Sequence, residues 1–336
     1  MHVAQSQYVS LAIGKRLSLP IGSYGVTLFF VISGFLITYL LLTEKAQSGS
    51  VKIGNFYMRR ILRIWPLYYL FILLAIIVYW LNGRVDSIVN SELWFILFFT
   101  PNVLYGLQTG VRVLAHYWSL GVEEQFYLFW PWIVKYSKNL FRWAMIFGIL
   151  FFIVKTALWF YDSSSVIYRM FNYTRFHCMM VGALGALLYY RGKFLIIDIL
   201  AKRWIQLISW ILFFGIGFNL IYIPGIISHE IFALASMSLI FGQIVPGKSL
   251  INLENKICNF VGKISYGVYI YHPLWILLFS LFMNKIGVSP NTAAILIFPV
   301  VLSLTLLTAH FSHKYFERPF LKMKDKYSYT VKATNI

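Results

Sequence analysis

The sequence predicts an all-α protein, a polytopic bundle of membrane helices that forms a single domain over residues 1–336. Only 12% of the residues are charged, against roughly 25% in soluble domains. Apolar stretches of about 20 residues recur along the whole chain, and each is long enough to cross a hydrocarbon core of roughly 30 Å as a helix. The polar stretches between them are too short to build a soluble core, so no separate soluble domain is expected.

Hydropathy predicts about nine membrane spans. They cover residues 22–43, 61–82, 118–136, 140–161, 174–190, 204–223, 229–246, 264–284 and 291–313. One further apolar stretch, residues 92–106, is interrupted by Pro101 and Asn102. We expect it to be re-entrant or interfacial, because irregular backbone at membrane depth must be buried in protein or line a cavity.

The distribution of Lys and Arg predicts the orientation of the chain. With the loop at 44–60 in the cytoplasm, 21 Lys and Arg residues fall on the cytoplasmic side and 7 on the other. Cytoplasmic loops of membrane proteins carry the excess of positive charge. The sequence therefore predicts a multi-pass protein of the cell inner membrane with a cytoplasmic C-terminus. The net charge of +18 is then a signal of topology and of contact with membrane lipids, and no nucleic acid partner is expected.

The sequence offers no pattern typical of a metal site or a disulfide. Cys178 and Cys258 fall in different segments without metal-ligand spacing. No His-Glu-x-x-His motif, phosphate-binding glycine loop or nucleophile elbow is present. We therefore expect no metal.

An acidic pair lies inside the apolar segment WSLGVEEQFYLFWPW, residues 118–132. Ser119, Glu123 and Tyr127 have helical spacing of four and share one face. An ionisable residue inside a membrane span is a candidate functional residue, because its insertion cost must be offset. The alternative is a structural ion pair or hydrogen bond. Glu124 points to another face and is expected to approach Lys155.

Three arginines, Arg59, Arg60 and Arg63, begin the helix predicted just before Pro66. Guanidinium groups match phosphate oxygens in a bidentate geometry. The cluster is therefore a candidate site for an anionic ligand at the cytoplasmic side. The alternative is that these side chains only anchor the helix to anionic lipid headgroups.

Two of the seven histidines are candidates for chemistry. His2 is expected at the outer surface of the membrane, where Glu123 is also expected, and a carboxylate commonly orients an imidazole that acts as a base. His272 precedes Pro273 within a span, where the helix must bend and leave a backbone carbonyl without its usual donor. The other histidines have ordinary explanations as interface or packing residues.

Five sequence blocks, spread over nearly the whole chain, can be compared as a set with known families. They are VTLFFVISGFLIT (26–38), FYMRRILRIWP (56–66), YWSLGVEEQFYLFWP (117–131), GKISYGVYIYHPLW (262–275) and YFERPF (315–320). In these blocks the chain resembles the bacterial acyltransferase-3 family, membrane O-acyltransferases that modify O-antigens, exopolysaccharides and related glycans. The resemblance implies about ten membrane helices and acyl-CoA, most commonly acetyl-CoA, as the co-substrate.

The resemblance also implies roles for particular residues. Glu123 matches the glutamate of the family's Trp-Ser-Leu block, and His2 fits an essential histidine at the end of the family's first helix. The arginine that precedes this histidine in the family has no counterpart, so most of the first helix is expected to be missing from this chain. The remaining matches are Arg60 and Arg63 in the basic block, Ser33 and Gly34 in the Ser-Gly-Phe-Leu block, and Ser265, Tyr266 and His272 in the late block.

The expected function is transfer of an acyl group from cytoplasmic acyl-CoA to a hydroxyl of a cell-surface or lipid-linked glycan. His2 and Glu123 are the expected catalytic residues, and Arg60 and Arg63 are expected to bind the co-substrate. Side chains that could contact the acceptor or stabilise an oxyanion are Ser119, Tyr127, Ser265, Tyr266 and His272. Two alternatives remain: a proton-coupled transporter or flippase of such a glycan, and a non-enzymatic membrane scaffold.

Overall fold

A computed structural model describes residues 21–83, 92–109 and 112–327 of the chain. Over these residues the chain is helical and contains no strand, which agrees with the predicted all-α fold. The helices are α1 (Ile21–Ser48), α2 (Ile53–Leu81), α3 (Glu92–Leu97), α4 (Pro101–Gly106), α5 (Tyr117–Tyr136), α6 (Leu140–Asp162), α7 (Val166–Thr174), α8 (Phe176–Tyr190), α9 (Phe194–Leu200), α10 (Arg203–Gly217), α11 (Gly225–Ile244), α12 (Lys256–Lys285), α13 (Pro290–Phe311) and α14 (Arg318–Asp325). A π-helix, Ser312–Glu317, joins α13 to α14.

Each of the nine predicted spans corresponds to a helix, but the predicted count of nine spans is not confirmed. Among the described residues, 6 helices are long and apolar enough to cross a membrane, namely α1, α2, α6, α11, α12 and the unit formed by α13 and α14. The helices α9 and α10, with a bend of 53° between them, form either a seventh, broken span or a re-entrant loop. The predicted span 174–190 is shorter than expected, because Arg175 adopts a left-handed conformation with φ of 46° and separates α7 from α8.

The apolar stretch 92–106 forms two short helices instead of one span. Each has 6 residues, which corresponds to roughly 9 Å at 1.5 Å per residue. Phe99, between them, has a φ of 57°. Neither helix is long enough to cross a bilayer, and the re-entrant or interfacial placement stays a prediction.

Two glycines allow α1 and α8 to cross in close contact. A Cβ on Gly34 would lie 2.0 Å from the Met179 carbonyl oxygen, and a Cβ on Gly182 would lie 2.0 Å from the Val31 carbonyl oxygen. Small residues at such crossings let the backbones of membrane helices approach. This contact fixes α1, whose neighbouring residue Ser33 reaches the site described below.

A buried ion pair connects α6 to α11. Lys155 donates to the Glu230 carboxylate and to the Ile226 carbonyl oxygen. Nε2 of His177 on α8 lies 2.9 Å from the same carboxylate. The expected approach of Glu124 to Lys155 is therefore wrong, because the partner of Lys155 lies far along the chain, on α11.

Candidate functional site

One cavity, which we call the first cavity, has a volume of about 370 Å³ and lies among α1, α2, α5, α12 and α14. Seven of the nine residues expected from the sequence line it: Arg60, Arg63, Ser119, Glu123, Tyr127, Ser265 and Tyr266. These residues come from three helices that are far apart in the sequence. Their convergence on one cavity is the main structural feature of the site.

The carboxylate of Glu123 lies in the wall of this cavity. Its Oε1 accepts a hydrogen bond of 2.8 Å from the Ser33 hydroxyl, and its Oε2 accepts a longer one of 3.4 Å from the Tyr127 hydroxyl. The helical spacing predicted the second contact, since Glu123 and Tyr127 are separated by four residues on α5. Neither partner is charged, so the hydrogen bonds to this carboxylate from the described residues come from neutral hydroxyl groups.

The three arginines of α2 divide into two groups. Arg59 forms an ion pair of 2.7 Å with Glu44 and donates to the Tyr327 carbonyl oxygen, so it ties α2 to neighbouring segments. Arg60 and Arg63 instead line the first cavity. The Arg60 guanidinium lies 5.7 Å from the centroid of the Tyr127 ring, and no described residue accepts a hydrogen bond from its buried Nε.

Lys324 adds a third basic side chain to the wall of the first cavity. It lies on α14, which packs against α2. Lys324 was not among the predicted site residues, because its place depends on the packing of the last helix. The basic C-terminal segment was the signal that could have indicated it.

A third cavity, of about 540 Å³, adjoins the first at Arg63 and Tyr266, which line both. Lys263, His313 of the π-helix and Glu317 are also in its wall. The Ser312 hydroxyl donates to the Glu317 carboxylate over 3.1 Å. Arg63 therefore lies in the wall of two neighbouring cavities.

The two residues expected from the late sequence block are fixed by backbone contacts. The Tyr266 hydroxyl donates to the Ile64 carbonyl oxygen over 2.8 Å, which joins α12 to α2. The Ser265 hydroxyl donates to the Gly262 carbonyl oxygen of its own helix over 2.9 Å. Both line the first cavity, and both have protons already engaged in these contacts.

Tyr269 lies where the first cavity meets a second one, and it lines both. Its hydroxyl is hydrogen-bonded to the Ser119 hydroxyl and lies 2.7 Å from the His116 carbonyl oxygen. Val26 and Phe29 also line both cavities. Sequence reasoning missed Tyr269, although its place one turn before His272 on α12 was a usable signal.

The second cavity has a volume of about 280 Å³. Its polar wall consists of Ser23, Tyr105, His116, Tyr173, Arg175, Tyr269 and His272. The expected residue His272 thus lies in the adjoining cavity and not in the first one. His116, which had been explained as an interface or packing residue, also lies there, with its ring 5.4 Å from that of His272.

Arg175 places a positive charge in the wall of the second cavity. Its guanidinium donates to the carbonyl oxygens of Asn172 and Ser23 and to the hydroxyls of Ser23 and Thr27. The group also lies 5.4 Å from the ring of Trp118. No ion pair joins Arg175 to a carboxylate among the described residues.

His2 lies outside the described residues, so its expected pairing with Glu123 stays a prediction. Within the described ranges, no group of three or more His, Cys, Asp or Glu side chains is placed to hold a metal ion.

Comparison with known proteins identifies the family of the chain. The family model described as the acyltransferase domain, Acyl_transf_3, matches residues 1–310. The chain belongs to the acyltransferase-3 family. This confirms the resemblance inferred from the five sequence blocks, and an acyltransferase needs an acyl donor and an acceptor.

The chain is also similar to curated proteins of Staphylococcus aureus. It is 28% identical to a protein of strain COL named "Putative O-acetyltransferase SACOL0978" and 27% identical to O-acetyltransferase OatA of strain NCTC 8325. Each alignment covers 90% of this chain and 53% of the relative. The acyltransferase-3 chain therefore spans about half the length of these relatives. No solved structure matches it.

Proposed function

We propose that this protein is a membrane O-acyltransferase that moves an acyl group, acetyl, from cytoplasmic acyl-CoA to a hydroxyl of a cell-surface or lipid-linked glycan. The observation that carries the proposal is the convergence of basic residues and a carboxylate on the first cavity. The names of the two relatives, both O-acetyltransferases, support the acetyl group.

The donor is proposed to bind through its phosphates at Arg60, Arg63 and Lys324. Guanidinium groups form strong, charge-assisted hydrogen bonds with phosphate oxygens. The adjoining third cavity provides space beside Arg63 for the nucleotide part of the donor. The pantetheine arm would then extend through the first cavity toward Glu123 and Tyr269.

The topology in this proposal follows from the charge distribution. The Arg60 and Lys324 end of the first cavity faces the cytoplasm, together with the C-terminus, and the second cavity lies toward the outer side of the inner membrane. This orientation agrees with the excess of Lys and Arg in the loops at one side.

In the transfer step, the acceptor hydroxyl oxygen bonds to the thioester carbonyl carbon and the carbon–sulfur bond breaks. The hydroxyl proton passes to a base, and the leaving thiolate of CoA is finally protonated. Glu123 is proposed to orient His2, which acts as this base. The alternative is that His2 carries the acyl group, in which case the carbon–sulfur bond breaks when the imidazole is acylated and the acceptor oxygen then displaces the imidazole.

The hydroxyls of Ser119 and Tyr127 are candidates for contact with the developing oxyanion. The Tyr266 proton is held by the Ile64 carbonyl oxygen, so Tyr266 is a candidate for contact with the acceptor through its oxygen.

The test is to supply radiolabelled acetyl-CoA to inverted membrane vesicles from cells that express the protein. We expect alkali-labile label in the glycan, as required for an O-acetyl ester, and none in vesicles from cells without the protein. A transporter or flippase would move glycan without incorporating label. Absence of labelled glycan in vesicles that contain folded protein would contradict the proposal.

A further inference from the structure

The second cavity has the composition of a site for a hydroxylated ring. Its wall combines the aromatic rings of Tyr105 and Tyr173 with several hydroxyl and N–H groups. These two rings are perpendicular, with centroids 4.5 Å apart. Aromatic faces are electron-rich and attract the weakly positive C–H face of a ring, while the hydroxyls of the same ring need polar partners. The volume, about 280 Å³, is near the lower end of the range for ligand pockets, roughly 300 Å³.

His272 enters this wall with its tautomer fixed by the backbone. Pro273 has no N–H, and the carbonyl four residues before Pro273 is that of Tyr269, so this carbonyl lacks its usual helical donor. Nδ1 of His272 lies 2.7 Å from the same Tyr269 oxygen. A carbonyl oxygen can only accept, so Nδ1 carries the proton. In the neutral imidazole, Nε2 then has the lone pair and can accept a proton.

The ring of His272 lies beside Tyr269, the residue at the junction of the two cavities. The centroids of the two rings are 5.8 Å apart, and Tyr269 lines both cavities. An acceptor in the second cavity and a thioester in the first would therefore meet at Tyr269, within reach of His272.

We propose that the second cavity binds the glycan acceptor and that Nε2 of His272 accepts the proton of the attacking hydroxyl. The O–H bond breaks, the acceptor oxygen bonds to the acyl carbon, the carbon–sulfur bond breaks, and the proton held by His272 is later released to the CoA thiolate. This inference rests on the proposed function. It assigns the base of this direct transfer to α12, which leaves His2 a role in positioning the thioester.

The test uses the full chain purified into lipid nanodiscs, with labelled acetyl-CoA and cell-envelope glycan that alkali has freed of O-esters. His272→Asn keeps an amide N–H near the position of Nδ1, and so keeps the bond to the Tyr269 carbonyl, but it removes the basic Nε2. We expect the transfer rate to fall about 100-fold or more, with the KM for acetyl-CoA within twofold of wild type. His310→Asn, on α13 outside the three cavities, is the matched control and should transfer at the wild-type rate.

Three further results decide the proposal. A wild-type rate from His272→Asn would overturn the proposal. The Asn amide can take over the structural hydrogen bond of the histidine, but it cannot act as a base. If His272→Asn has a lower Tm than the wild type, His272→Gln is measured in its place. A wild-type rate from that variant would also overturn the proposal. Tyr173→Leu should raise the glycan concentration for half-maximal rate several-fold and leave the KM for acetyl-CoA unchanged. Absence of transfer by the wild-type protein would instead contradict the proposed function itself.

Discussion

The Ser33 hydroxyl donates a hydrogen bond of 2.8 Å to Oε1 of Glu123. This bond joins α1 to α5 in the wall of the first cavity, which both residues line. Ser33 precedes Gly34, at which α1 crosses α8 in backbone contact. The carboxylate is thus oriented by a residue whose own position is fixed by helix packing.

Replacing Glu123 by Gln should abolish most of the transfer. The amide keeps the shape of the side chain but removes the negative charge that is proposed to orient His2. We expect kcat to fall about 100-fold or more, with an unchanged KM for acetyl-CoA and an unchanged Tm. Glu124→Gln is the matched control, because Glu124 does not line the first cavity and should leave kcat unchanged. A wild-type rate from Glu123→Gln would rule out its catalytic role.

Removing the arginines of the first cavity should weaken donor binding selectively. A hydrogen bond to a charged group contributes about 1.5–3 kcal/mol, so Arg60→Ala and Arg63→Ala should each raise the KM for acetyl-CoA roughly 10-fold or more. The apparent KM for glycan should stay the same. Arg142→Ala, at an exposed residue outside the three cavities, serves as the control. Equal donor KM values in all variants would favour the alternative in which these arginines only contact lipid headgroups.

The close crossing of α1 and α8 makes Gly34 intolerant of a larger side chain. A Cβ there would lie 2.0 Å from a backbone oxygen, and overpacking of this kind costs about 1–3 kcal/mol or more. Gly34→Ala should lower the Tm in detergent and the yield of folded protein. Gly54→Ala on α2 has nothing within 4 Å of its Cβ, so its Tm should be equal to that of wild type or higher. Equal Tm values for the two variants would show that the crossing is looser than described.

The pair Lys155 and Glu230 should matter for stability through charge balance. The Lys155 side chain is 1% exposed, and removing one partner of a buried pair leaves an uncompensated charge, which costs about 3–5 kcal/mol. Lys155→Met should therefore lower the Tm strongly. The double variant Lys155→Met with Glu230→Gln should recover part of this loss in a thermal melt. Additive losses in the double variant would contradict coupling between the two residues.

Sequence reasoning predicted most of the polar residues in the wall of the first cavity, because these residues come from helices with clear local patterns. Ser119, Glu123 and Tyr127 follow helical spacing, so their common face could be read directly. The choice of Arg60 and Arg63 over Arg59 agrees with their place in the cavity wall. The bend expected at Pro273 led to His272, but its place in the second cavity depends on the packing of α12 and could not be read from the pattern.

The features that sequence reasoning missed depend on contacts between distant helices or on single backbone conformations. Lys155 pairs with Glu230 because α6 packs beside α11, and no local pattern encodes that neighbour. The left-handed conformation of Arg175 shortens α8. A glycine in the sequence would have indicated such a backbone conformation, but an arginine does not. Lys324 reaches the first cavity only because α14 folds back against α2.

The proposal that acyl-CoA binds in the first cavity is tested most directly by mapping where the donor binds. A CoA analogue with a photoreactive acyl group is crosslinked to the nanodisc-embedded protein, and the modified peptides are identified by mass spectrometry. We predict crosslinks in residues 119–127 and 265–269, the segments that contribute to the wall of the first cavity, and their loss when excess acetyl-CoA competes. Crosslinks confined to the basic loops at 135–142 or 191–203, or crosslinks that acetyl-CoA does not displace, would contradict it.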